Sequence, residues 1–148
     1  MIGAEELRDH QARCMPHMAV LHMFATGMVG APLPPDAAEQ VAQATSAILA
    51  EAKAAGRAAL AAAHDDRPRS ANLSLLTARQ ARLEHAADDA VASAREAARS
   101  GNAAALRQRL HRFIVLTSAM WTVQLSVCEQ ATAPEQELDA RAASRASS

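Results

Sequence analysis

Phe113–Cys128, FIVLTSAMWTVQLSVC, contains no Asp, Glu, Lys or Arg, and neither does Cys14–Pro35, which opens CMPHMAVLHMFATGMVG. Both stretches carry helical spacing. A helix on the surface of a small globular protein keeps one charged face, so a helix uncharged all round is enclosed by protein or by lipid. Lipid is the poorer fit. The first run is interrupted by Pro16, His17, His22 and Gly27, the second carries Thr, Ser and Gln, and each falls short of the ~20 apolar residues that a span requires. The N-terminus, MIGAEELRDH, has acids where a signal peptide carries bases. These features predict a cytoplasmic protein with no membrane partner, whose two uncharged helices are covered by other protein.

The composition sets the class. The chain has 148 residues, enough for one domain that buries about two thirds of its unfolded surface. Alanine is abundant, Tyr is absent, and Gly and Pro are scarce. Alanine is the best helix former and a poor strand former, so the prediction is all-α. A net charge of -1 and 2% aromatics offer neither the basic footprint nor the stacking surfaces that nucleic acid requires. In a reducing compartment the two cysteines, Cys14 and Cys128, read as free thiols or metal ligands rather than a disulfide.

Punctuation divides the chain into four expected helices. The first runs from about Glu5 to Val29, stopped by Gly30 and Pro32, with Pro16 either kinking it or opening a new helix near Met15. Asp36 and Glu39 form a capping-box-like start for the second, which extends to about His64. Asp65–Asn72 reads as a polar loop. The third helix spans about Ser74 to Arg99, ended by Gly101, and Asn102 caps a fourth that reaches about Ala131. Short connections favour an antiparallel up-down-up-down four-helix bundle over residues 1–131, followed by a polar, largely disordered tail, 132–148.

Spacing at about 100° per residue assigns the inner faces. The stripe on the first helix is Leu7, His10, Cys14, His17, Leu21, Phe24 and Met28; on the fourth it is Leu106, Leu110, Phe113, Thr117, Met120, Gln124 and Cys128, with Trp121 at its edge. The second helix offers Val41, Ala44, Ile48, Ala52, Ala55 and Ala59, and the third Leu76, Leu83, Ala87, Ala90 and Ala94, mostly methyl groups. The outer faces of the first and fourth helices are also uncharged: Met15, Val20, His22 and Met23 on one, Val115, Leu116, Ala119, Thr122, Val123 and Ser126 on the other. Together they form an apolar patch larger than soluble monomers usually tolerate. A homodimer through helices 1 and 4 is the expected cover.

Two constellations carry possible chemistry. His10, Cys14 and His17 stand at i, i+4 and i+7, and the end of helix 4 can add Cys128, giving the thiolate and imidazole donors that suit zinc or copper. The competing reading is ordinary packing of histidine and cysteine at a bundle end. Thr117 and Gln124 place polar groups on an inner stripe; with Leu21 and Met120 they outline a small-ligand pocket, although a threonine hydroxyl can bond its own helix carbonyl and a buried glutamine can find a structural partner. Five of the six methionines lie between Met1 and Met28, but they do not share one face and read as interface filler.

Nucleophilic catalysis is weakly indicated. His10 and His17 stand beside Cys14 on one helix rather than facing it, and no glycine-rich phosphate loop occurs. The Glu-x-x-His pairs of di-iron bundles and the Cys-x-x-Cys-His haem motif are absent. The first functional expectation is therefore a non-enzymatic homodimeric bundle that binds a small molecule or a protein in a regulatory role. A zinc or copper protein is the second, and a small helical enzyme or pathway binder the third.

Overall fold

The structure is a computed structural model, and it describes residues 2–27, 32–63 and 67–129. Four helices account for nearly all of them: α1 (Ile2–Thr26), α2 (Ala37–Ala62), α3 (Arg67–Ser100) and α4 (Ala104–Glu129). Among the described residues there is no strand, and no helix is long and apolar enough to cross a membrane. The Met28 end of the first stripe, the expected stop at Val29–Gly30, His64, Ala131 and the tail 132–148 lie outside the described residues.

α1 is one continuous helix through Pro16. Proline removes the N–H that would bond the Ala12 carbonyl, but Ala12 and Pro16 both lie on the exposed side, where water can take that carbonyl. The helix ends at Thr26, before Gly27, one turn short of the expected stop.

Two expectations about helix starts are corrected. Asp36 sits at the N-cap of α2, but its side chain makes no capping bond, so the capping box does not form. The backbone does the work instead: the Ala37 amide donates to the Pro34 carbonyl at 3.1 Å. α3 begins at Arg67 rather than Ser74, converting most of the expected loop into helix. Pro68 explains this, because a proline in the first turn has no amide to leave unsatisfied and its fixed φ suits the helix. The α3–α4 corner follows the expected chemistry. Gly101 takes φ +75°, its amide donates to the Ala97 carbonyl at 2.8 Å, and the Ala104 amide donates to Asn102 Oδ1 at 3.0 Å.

α1 packs on α2 and α4, α3 packs on the same two helices, and α2 also meets α4 across the middle. The first residues of α1 lie at the ends of both neighbours: a Cβ built on Gly3 would stand 2.6 Å from Ala62 Cβ and 3.1 Å from Cys128 Sγ. Phe113, Leu7, Leu21, Ile48, Leu83, Leu106 and Leu110 are the largest fully buried apolar side chains. Each contributes roughly 1.5–3 kcal/mol on burial, against about a methyl's worth for the alanines of α2 and α3. The expected inner stripes of α2 and α3 are buried as read; Thr45, Ala86, Ala97, Ile114 and Val127 join the core beside them.

Candidate functional site

Cys14 is fully buried on the inner face of α1, whereas His10 and His17 are half-buried. His10 reaches α2, where Nδ1 donates to Glu51 Oε2 at 2.6 Å, and Arg13 Nε donates to Glu51 Oε1 at 3.0 Å. The hydrogen bond from His10 holds the Glu51 carboxyl below its ordinary range; partial burial opposes the shift and Arg13 reinforces it. Burial, aided by the Glu51 charge and opposed by Arg13, pushes the Cys14 thiol from its ordinary 9.0 to about 11. Cys128 is raised as well, by burial first and then by Glu129. Both cysteines are free thiols whose burial disfavours the thiolate, so neither is a ready nucleophile.

His10, Cys14, His17 and Cys128 are not brought together as one ligand set. Cys128 lies against Gly3, seven residues before His10, or about 10 Å along the helix at 1.5 Å per residue. Among the described residues no group of three or more His, Cys, Asp or Glu is placed to hold a metal ion. Helical spacing lined up three donors on α1, but the register of α1 on α4 puts the fourth at another level, and His10 is engaged by a carboxylate 41 residues away.

The expected pocket of Leu21, Thr117, Met120 and Gln124 is also rearranged. Leu21 and Thr117 are fully buried in the core, and the Thr117 hydroxyl donates to the Phe113 carbonyl at 2.9 Å, the local solution open to a core threonine. Gln124 is fully buried; its Nε2 donates to the Ala52 carbonyl on α2 at 2.8 Å, while its Oε1 has no hydrogen-bond partner among the described residues.

A cavity of about 330 Å³ does exist, but it opens between α2 and α3. Met120 is the one expected pocket residue that lines it. Its other walls include Ala52, Gly56 and Leu60 of α2 and Leu73, Leu76 and Gln80 of α3, with Lys53, Arg57 and Glu84 among its charged residues. Gln80 and Gly56 were missed by sequence reasoning. The available signal was Gly56 itself, a glycine in the interior of a helix built mainly of alanine, where it costs about 1 kcal/mol relative to alanine. A second cavity, of about 770 Å³, lies between Pro32–Pro35 and the α3–α4 corner.

The outward faces of α1 and α4 are open in places. Met15, Met23 and Val115 are 57%, 56% and 52% exposed, whereas Val20, Leu116, Ala119 and Val123 are half-buried within the bundle. Compared with known proteins, the chain matches no family model, no curated protein and no solved structure.

Proposed function

We propose that this chain is a non-enzymatic binding protein of the cytoplasm, in a regulatory role, that works as a homodimer of antiparallel up-down-up-down bundles joined through α1 and α4. One observation carries the reading: Met15, Met23 and Val115 are more than half exposed on helical stretches that hold no charged residue. Large apolar side chains so placed are the material of an interface core, where charge is depleted and methionine enriched.

The topology is supported by the placement of Gly3 beside both Ala62 and Cys128, and by His10 reaching Glu51, pairings in which early α1 meets late α2 and late α4. A binding rather than catalytic role is supported by the state of Cys14 and Cys128, both buried and both held as neutral thiols. Free thiols also fit a reducing compartment.

Sedimentation velocity at micromolar concentration tests the assembly. The wild-type protein is expected to run as a dimer whose interface exceeds the ~1,200 Å² typical of specific association. Val115→Glu is expected to give monomer or aggregate, because a charge buried without a partner costs far more than the methyls it replaces. A stable wild-type monomer overturns the reading.

A further inference from the structure

Two glutamines, one on α4 and one on α3, donate to α2 carbonyls three residues apart, and each leaves an oxygen idle. Gln124 of α4 donates Nε2 to the Ala52 carbonyl, and Gln80 of α3 donates Nε2 to the Leu49 carbonyl at 3.5 Å. The Ala52 carbonyl fixes the Gln124 amide, since a flip would set oxygen against oxygen, whereas the longer bond leaves Gln80 more freedom to turn. Oε1 of Gln80 and Oε1 of Gln124 are then both buried without a hydrogen-bond partner among the described residues. A buried acceptor left unmade costs roughly 1–3 kcal/mol, and each such group calls for an explanation.

Gln80 lines the α2–α3 cavity, and so does Gly56. A Cβ added to Gly56 would meet a single atom within 4 Å, Gln124 Nε2 at 3.8 Å, which is ordinary contact. Protein packing therefore does not demand glycine there; what the missing methyl preserves is room in the cavity. Leu73 on the facing wall is 53% exposed, an apolar surface open for covering.

We infer that the cavity between α2 and α3 is a binding site for a small, flat, apolar molecule that carries one N–H or O–H donor, its body over Gly56 and between Leu73 and Met120, and its donor bonded to Gln80 Oε1. The volume, about 330 Å³, falls at the lower end of small-molecule sites, which suits one or two fused rings. The Gln80 oxygen has almost no exposed surface, so the donor reaches it through a small rotation of that flexible side chain. The assignment deepens the binding reading above and is independent of self-association.

Indole and benzofuran, the same bicyclic shape with N–H replaced by an ether oxygen, are the probes. They are titrated into the full chain by calorimetry and by amide-resolved NMR. Indole is expected to bind at least about tenfold more tightly than benzofuran, because only indole satisfies the glutamine oxygen and benzofuran adds a second acceptor against it. Gln80→Met, of matching length, should abolish the preference. Gly56→Leu should abolish binding of both probes, and Gly56→Ala, which is expected to fold at least as well as wild type, should weaken both. Equal affinity of the two probes for wild type, no binding of either up to its solubility limit, or an indole preference that survives Gln80→Met overturns the inference. None of these outcomes bears on the dimer, which sedimentation decides separately.

Discussion

The side of the bundle formed by α1 and α4 is filled with Leu7, Leu21, Phe24, Leu106, Leu110 and Phe113, whereas α2 and α3 face one another largely through alanines. Where large side chains interdigitate, the core is closed around Thr117 and Leu21, and the polar group present bonds its own helix. Where methyl groups meet methyl groups, the seam leaves a cavity at Ala52, Gly56 and Ala81. Small side chains let helices approach closely, but they cannot reach across space that the helix axes leave open. This alanine-rich chain thus carries most of its largest buried side chains on α1 and α4 and leaves a cavity along the α2–α3 seam.

The contrast is broken most directly at Phe113. Removing that fully buried ring deletes both its transfer energy and the packing around it, so Phe113→Ala is expected to cost about 3–5 kcal/mol in urea denaturation, with the m-value unchanged if folding remains two-state. A loss under 1 kcal/mol would mean that the α1–α4 side is no better packed than the α2–α3 seam.

The next effect is alkaline. Cys14 is buried on the well-packed side and its pKa is raised from 9.0 to about 11, so the unfolded chain releases the proton first as pH rises. Its contribution is complete below pH 9 and lost on approach to 11, at roughly 1.4 kcal/mol per pH unit. Denaturation between pH 8 and 11 is expected to show this decline, and Cys14→Ala to flatten it. An equal slope in both proteins would assign the alkaline loss to other groups.

The smallest effects come from two glycines with opposite surroundings. At Gly3 an added Cβ would lie 2.6 Å from Ala62 Cβ, so Gly3→Ala should destabilise by about 1–3 kcal/mol as the helix ends are forced apart. At Gly56 the same methyl enters the cavity, and Gly56→Ala should stabilise the ligand-free protein by about 1 kcal/mol. Thermal midpoints moving in the same direction for both variants would show that the two sites do not differ as described.

Much of the architecture was legible because it depends on local periodicity. The spacing of Leu106, Leu110, Phe113 and Thr117 marked an inner stripe, and Gly101 and Asn102 marked a corner. The start of α3 was misplaced because the mostly polar stretch Asp65–Asn72 reads as loop, although Pro68 was a usable start signal. The Asp36 cap was misread because composition shows that a cap is possible, not that the backbone will accept it.

The candidate site was far less legible. His10 meets Glu51 across 41 residues and Gln124 meets the Ala52 carbonyl across 72. Neither pairing leaves a trace in local pattern, so single-helix spacing showed neither the His10–Glu51 hydrogen bond nor the helix-to-helix clamp made by Gln124. By itself the sequence determined the helices, their inner faces and the two lengths free of charge, since each follows from propensity and from a repeat of 3.6 residues. Only the tertiary structure decided which donors share a level, which glutamine oxygens go unpaired and where the cavity opens, because these depend on the relative register and separation of helices, set by the sum of many side-chain contacts.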